Sequence, residues 1–493
     1  MPESADITET PETTDHPTGV GLGGTTAVLL VAAFVMILNE TAMNVALATI
    51  MVDLGITERS AQWLTTAFML AMATVIPATG WLLQNYSTRT VFTGALSLFC
   101  VGTALCASAP FFGALVTGRV VQAMGTALII PLLMTTIMRL VSPDRRGQVM
   151  GTVSLVISVA PAIGPTVAGL ILQFLPWRFV FWLVLPLVVL LLVAGLRSLR
   201  DVGVVERSRL DLWSLPLAAA AFGGFVAGAS QLGSPTVPAW LPATALTVAA
   251  VALVLFVRRQ VALQRTDSAL LDLRTFTHPT FAIAMGVVAV AMMALFGTLI
   301  MLPLLLQQAL HLTPLTVGLL GLPGGILMGV LGPFVGRLYD KVGPRPLILP
   351  AGIVVGVVLV LFSGISTTTP LWVIIGTHVA MCVAFAFLFT PLFTTALGAV
   401  PPTLYSHASA TLGTIQQLAG AAGTTLFVTV FSVTSSSAAG GATPTAHHLL
   451  MGAHWAFLGA AALWLSGIVA TGFVRGSAPT APATVEGSFD AVQ

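Results

Sequence analysis

The sequence predicts an all-α integral membrane protein of 14 transmembrane helices arranged 6+2+6, and three observations carry that prediction. Only 7% of the 493 residues are charged and 56% are hydrophobic, with a mean hydropathy of +0.99, whereas soluble proteins carry roughly 25% charged residues. Apolar runs of about 20 residues, the length that crosses hydrocarbon as a helix, recur along the whole chain. Pro77, Gly80, Leu82 and Arg89 return as Pro333, Gly336, Leu338 and Arg345, each 256 residues later. Six spans plus two inserted ones produce such an offset. The expected organisation is a disordered tail (1–24), a six-helix bundle (25–200), two inserted helices (201–260), a second six-helix bundle (261–475) and a disordered tail (476–493).

Runs bounded by Gly, Pro and charged loops place the spans near 25–47, 62–83, 91–109, 112–138, 148–172, 178–196, 211–232, 237–257, 280–303, 316–336, 346–364, 371–390, 409–432 and 450–473. An even count puts both termini on one side. With the tails in the cytoplasm, 16 of the 19 Lys and Arg lie inside, Arg59 and Arg178 lie outside, and Arg119 is within a span. That asymmetry supports both the orientation and the spans. The acidic first tail lacks the Lys or Arg of a secretory n-region, so the first span is expected to stay in the mature protein. Two connections stand out. Residues 258–279 mix apolar side chains with Arg265, Asp267, Asp272 and Arg274 and read as a cytoplasmic surface helix, while the Ser/Gly/Ala/Thr-rich stretch 432–448 reads as a mobile outer loop.

The net charge of +2 comes from short loops and points to no nucleic acid. Cys100, Cys106 and Cys382 lie in apolar runs without metal spacing. No Walker loop or cluster of acids and histidines is visible, so no cofactor, no metal and no enzymatic activity are expected. Repeated halves favour transport, because transporters place a substrate site between such halves near mid-membrane.

Glu40, in LNETAMNVALATI, is the one acid placed well inside an apolar run. A charge there costs on the order of 3 kcal/mol on insertion scales, so it is rarely kept without a partner or a function. Hydrocarbon disfavours the anion, which makes Glu40 the candidate proton-coupling group; a polar residue that merely helps helices associate is the plainer alternative. Arg119, in LVTGRVVQAMGTALIIP, is the sole cation at depth. The small face through Ala123 and Thr126 turns it inward, with Gln122 one turn on. Counted from the outer ends of their spans, Glu40 and Arg119 are both seven residues deep, roughly 10 Å at 1.5 Å per residue, so an encounter is expected. His378 is also seven residues in and is either a hydrogen-bonded core imidazole or part of the proton path or pocket. Asn39 and Asn44 flank Glu40.

Span 5, APAIGPTVAG, combines kinking Pro161 and Pro165 with Gly164, Ala168 and Gly169, which are expected to admit another helix closely; it is a tight bend point or ordinary kinked packing. The inner loop GRLYDKVGPR offers Gly336 for close approach and Gly343 for a turn. Asp340 is placed to accept bonds from a helix N-terminus and pair with Arg345. It acts as a clasp between helices or as a charged topological stop. In the first-half copy, GWLLQNYSTR, Gln84 replaces the acid and Ser87 the glycine, so a weaker clasp is expected around Gly80 and Arg89. Trp63, Phe68, Met292, Met293, Phe296, Phe385 and Phe389 are candidates to line an adaptable apolar cavity, though most such residues face lipid or core.

These stretches together, namely LNETAMNVAL, QWLTTAFMLAMATVIPATGWLLQ, GRVVQAMG, IGPTVAG and GRLYDKVGPR, resemble the fourteen-span drug:proton antiporters of the major facilitator superfamily, and within them the lincomycin-resistance type. The similarity runs from about Thr25 to Phe473. In that family the span-1 motif commonly carries Asp, where this chain has Asn39 followed by Glu40 as in the lincomycin-resistance subgroup; Arg119, Gly164 and Pro165 match its motifs. The resemblance implies the major facilitator fold in a bacterial cell membrane. It further implies a multidrug exporter that moves small amphipathic compounds outward against inward protons by alternating access. A monomer is expected, with no partner beyond substrates, protons and the bilayer. An exporter dedicated to one endogenous metabolite, antibiotic or lipid fits the same scaffold, and an integral-membrane lipid-modifying enzyme is a more distant alternative.

Overall fold

The computed structural model describes residues 23–199, 201, 208–232, 237–238, 240–440, 443 and 445–474. Apart from Gly23 and Gly24, the two expected tails lie outside the described residues. The chain runs back and forth as α1 Gly24–Leu54, α2 Ser60–Asn85, α3 Thr88–Ala107, α4 Phe112–Leu140, α5 Arg146–Phe174 and α6 Phe179–Ser198. Then come α7 (214–231), α8 Trp240–Leu263, α9 Pro279–Gln308, α10 Pro314–Val342, α11 Arg345–Ser363, α12 Leu371–Gly398, α13 Tyr405–Ala439 and α14 Ala446–Thr471. Among the described residues, 13 helices are long and apolar enough to cross a membrane. The segment left out is α7, whose helical stretches Ser214–Ala218 and Gly224–Gln231 flank a π turn at Ala219–Gly223.

The internal repeat extends beyond the motif residues. Moved on by 256, the starts of α1 to α5 fall within three residues of the starts of α9 to α13; Thr88, for example, becomes 344, beside Arg345. Even a cap repeats: Thr57 accepts from Ser60 N, and Thr313, 256 residues on, accepts from Thr316 N. Such side-chain acceptors satisfy orphan N–H groups at helix starts. Because short loops reverse direction at each turn, one face of the molecule, the tail side, carries the start of α1 and the end of α14.

Helix α5 crosses α10 with almost no side chain between them. Gly147 and Gly151 face Gly336 and Gly332, and a methyl on Gly151 or Gly336 would run into the opposing backbone carbonyl. This is the small-residue contact by which membrane helices gain packing without a hydrophobic driving force. The contact continues through Val159 against Gly329 and Ala162 against Gly325. Toward the other end of the crossing α5 carries Pro161 and Pro165 and α10 carries Pro323. Gly169, Gly318 and Gly321 face nothing within 4 Å. The expected tight packing at Gly169 is therefore corrected: Gly164 and Ala168 are buried, Ala168 in a cluster with Ala42, Met43 and Ala46 of α1, whereas Gly169 points into open space. The halves meet on the tail side and part on the other.

Two connections also differ from expectation. Residues 268–272 form no surface helix. They are a buried strap between 3-10 turns at Gln264–Thr266 and Leu273–Thr277, with Ala269, Leu270 and Leu271 buried and the two leucines packed in a cluster with Trp81, Phe256 and Ala410. Apolar side chains pull the strap inward, and Gln260 Oε1 accepts from Leu270 N and Leu271 N at 2.7 and 3.2 Å, meeting the backbone demand that a helix would otherwise meet. The expected outer loop is shorter, since α13 continues helically to Ala439 and ends at Gly440 with φ +58°. Its Thr434 and Ser435 hydroxyls bond back to Val430 O and Phe431 O, so polarity there does not break the helix.

A valine at Gly332 should lower the thermal stability of the detergent-purified protein, by the ~1–3 kcal/mol typical of overpacking, because it must push against Gly151. Gly169→Val, with open space around it, should melt like the parent. Equal melting of the two variants would contradict the crossing.

Candidate functional site

A guanidinium within the bundle needs partners from the protein, because hydrocarbon offers none. Arg119, on α4 and 1% exposed, donates from Nη1 to Gln122 Oε1 at 2.6 Å, one turn along the same helix. Its Cζ also sits 4.0 Å from the centre of the Phe68 ring on α2, a cation–π contact. Gln122 passes the connection on: its Nε2 donates to Asn39 Oδ1 on α1 at 2.8 Å and to Thr103 Oγ1 on α3 at 2.9 Å. Asn39 Nδ2 in turn donates to Val180 O on α6 at 3.3 Å. Asn39, Gln122 and Thr103 are all fully buried. One buried cation thus ties together α1, α2, α3, α4 and α6.

Glu40 is the residue after Asn39, and successive side chains on a helix point about 100° apart. Asn39 faces α4 and α6; Asn44, about 140° round, accepts from Thr65 Oγ1 of α2 at 3.4 Å. Glu40 falls between these two directions, toward the wedge where Arg119 and Phe68 meet. It is half-buried, within Coulombic reach of Arg119. The expected direct encounter does not occur: among the described residues Glu40 has neither a hydrogen bond nor an ion pair. The guanidinium is already engaged by Gln122 and Phe68, because the side chain that α1 aims at α4 is Asn39 and not its neighbour.

The kinked helix α5 is set against this same turn of α1. A methyl on Gly164 would collide with Thr41 Oγ1, and Leu38 O lies next nearest. Pro165, which removes a helical N–H, follows directly, at the level of Glu40. In the repeat, Gly164 becomes Gly420 and residue 40 becomes Phe296, and Gly420 packs on the Phe296 ring. The two halves place an acid and an aromatic ring at matching sites. His378, on α12, packs against Gly324 of α10 with Cys382 Sγ about 4 Å away. It has no contact with Glu40 or Arg119 among the described residues. Phe385 and Phe389 are core and stack on one another, and Phe389 stacks in turn on Phe393 along α12; Trp63 and Phe296 remain well exposed.

On the tail side, Asp340 of α10 accepts from Gly147 N and Gln148 N at 2.8 Å each, at the start of α5. A carboxylate at a helix N-terminus receives charge-assisted bonds and complements the helix dipole. Its expected pairing with Arg345 is absent. Gly343, at φ +76°, turns the chain into α11, and Arg345 Nε instead donates to Val474 O just past α14. Arg89 does the equivalent, donating from Nη2 to Leu196 O near the end of α6 at 2.6 Å. Each arginine therefore caps the last helix of its own half. Gln84 is not idle either: its Nε2 donates to Thr403 O at 3.0 Å and its Oε1 is 2.8 Å from His407 Nε2 at the start of α13, which packs on Gly80.

Phe68 as the ring under Arg119, Thr103, and the His407 contact escape a reading by sequence. Only the 256-residue offset, which turns Gly151 into His407, singles out the last of these.

A membrane protein of repeated helical halves, with a buried cation and beside it an acid that, among the described residues, no ion pair claims, belongs to the class of transporters. The sequence profile of the Major Facilitator Superfamily matches residues 29–424, and the chain belongs to that family. The lincomycin resistance protein LmrB of Listeria monocytogenes is 38% identical over 411 residues, covering 82% of this chain and 86% of its own. The protein of that name from Bacillus subtilis is 37% identical over 82% of this chain and 84% of its own. A multidrug resistance protein B homolog of Mycobacterium tuberculosis is 30% identical over 83% and 76%. Among solved structures, the proton:xylose symporter XylE shares the fold with a TM-score of 0.63 at 14% identity, over 92% of this chain and 96% of its own.

Gln122→Leu, which leaves the buried guanidinium without its amide, should destabilise the purified protein by ~3 kcal/mol or more. Thr103→Val removes one branch of the relay and should cost about 1 kcal/mol. Similar melting temperatures for both variants would mean that the relay does not hold Arg119.

Proposed function

We propose that this chain is a proton-coupled exporter of amphipathic drugs or other toxic compounds, working by alternating access in a bacterial cell membrane. In this reading α1 to α6 and α9 to α14 are the two six-helix bundles, α7 and α8 are the inserted pair, and all 14 helices cross the bilayer. Both termini are cytoplasmic, in keeping with the excess of Lys and Arg in the loops of that side. The tail side is then the cytoplasmic side, and the arrangement described is closed inward and open outward.

The observation that carries the reading is Glu40: an acid at membrane depth, near a cation that others already hold, and without a bonded partner among the described residues. Such a carboxylate is free to change protonation as water or substrate reaches it. Gly164 sets α5 against the turn of α1 that carries Glu40, so a movement of α5 relative to α1 alters what reaches the acid. In the outward-open state Glu40 exchanges bound drug for a proton. After α5 and α10 slide apart at their glycine crossing, releasing Asp340 from Gly147 and Gln148, the proton leaves to the cytoplasm. Asn44 and Arg119 lie beside the acid as substrate contacts, with His378 on the opposite half. The names of the relatives, which refer to lincomycin and multidrug resistance, support drugs as substrates.

Glu40→Gln, expressed at the parental level and assayed for proton-gradient-driven dye or antibiotic efflux in inverted vesicles, should lose at least ~90% of transport, as expected for a group that takes part directly in coupling. Undiminished transport would reject the role of Glu40.

A further inference from the structure

His407 is 2% exposed and lies at the start of α13, where the two halves meet on the tail side. Its Nδ1 is 3.2 Å from the backbone N–H of Asp272, which can only donate, so Nδ1 is the acceptor. The ring proton therefore sits on Nε2, which donates to Gln84 Oε1 at 2.8 Å. That bond fixes the Gln84 amide, whose Nε2 donates to Thr403 O at 3.0 Å. Every orientation in the group follows from one backbone N–H.

The repeat gives this arrangement its meaning. Gln84 is the counterpart of Asp340, while Thr403 and His407 are the counterparts of Gly147 and Gly151, each pair separated by 256 residues. Where one half clasps its partner with a carboxylate on bare helix N–H groups, the other uses an amide on a neutral imidazole. The donor that meets the acceptor side of that imidazole comes from neither bundle core but from the strap 268–272. The strap is fastened to α8 by Gln260, whose Nε2 donates to Ser214 Oγ of α7 at 2.7 Å. Ser214 Oγ donates to Asp211 Oδ2, and Asp211 takes two bonds from Arg259 at 2.6 Å. The Arg259 guanidinium pulls the Asp211 carboxyl down to about 2, so this fastening stays charged as pH falls from neutral to about 3 or 4. The other charged groups around His407 are Asp272 with Arg274, Asp267 beyond them, and Arg139, which reaches Ser406 Oγ at 3.4 Å.

We propose that His407 is the positioning residue of a second, neutral clasp on the tail-side gate, and that α7 and α8 hold this clasp shut through the strap. This rests on the alternating-access reading above, and it gives the inserted helices a role, since they fix the tautomer that lets α13 hold α2. Opening the tail side separates Gln84 from Thr403 and His407 together.

The test reads the gate without any substrate, so it stands apart from the drug-export reading. With Cys100, Cys106 and Cys382 replaced by Ala and Thr414 by Cys, the single thiol lies two turns deeper on α13 than His407 and is buried while the gate is closed. Its labelling by a membrane-impermeant maleimide is followed in inverted vesicles. His407→Leu and Gln84→Leu should each raise the rate about tenfold, the change in open population for ~1.4 kcal/mol. His407→Gln, which keeps one acceptor and one donor, should restore the rate to within about twofold of the parent by retaining both bonds. Gln260→Leu should also raise it, although Gln260 touches neither Gln84 nor His407. Unchanged labelling in both leucine variants overturns the clasp. A glutamine variant as open as the leucine variant reduces His407 to a volume filler, and an unchanged Gln260→Leu removes the inserted helices from the gate. If one leucine variant fails to reach the membrane, the other decides.

Discussion

A full positive charge inside a bilayer has to be satisfied by the protein, and here that demand falls on Arg119. Its guanidinium takes the Gln122 carbonyl oxygen and the Phe68 face, and Gln122 then donates its amide protons to Asn39 and Thr103. The relay fixes the rotation of α1 about its own axis. Once Asn39 is committed to α4 and α6, Glu40 is forced into the wedge between α2 and α4, close to the cation yet unbonded to it. The acid's isolation is thus a product of its neighbour's engagement.

The tail side obeys a different logic. Glycines at matched spacing bring the backbones of α5 and α10 into contact, which leaves their N–H groups within reach of Asp340. In the other half the same seat is occupied by His407 and Gln84, with larger side chains and no net charge. A twofold scaffold therefore closes with two unlike fastenings. Toward the face away from the tails the two helices carry Pro161, Pro165 and Pro323, and there Gly169, Gly318 and Gly321 look into open space.

Much of this is legible in the residues. Composition and apolar run length announce membrane helices, and the 256-residue offset foretells the positions of helices α9 to α13. Arg119 and Gln122 read correctly as neighbours because i and i+3 share a helix face. What depth counting misses is rotation: Glu40 and Arg119 lie at the same level, but one residue's difference in phase decides that Asn39 makes the contact. Gly169 reads as a packing residue by composition, whereas Ala168, one position earlier, is the residue that meets α1 and Gly169 faces open space. The strap 268–272 reads as an amphipathic helix because its partner Gln260 is ten residues distant, and a side chain that replaces helical hydrogen bonds leaves no periodic signature. His407 falls outside the apolar window altogether, since helices run past the hydrocarbon that the window detects.

The central claim is that Glu40 gives up a proton when drug binds. Proton release on adding a substrate to the purified, weakly buffered protein, followed with a pH indicator dye, tests it most directly. The parent should release about one proton per drug bound, and Glu40→Gln should bind drug with none released, because the amide has no acidic proton to surrender. Equal release from both proteins would contradict the account.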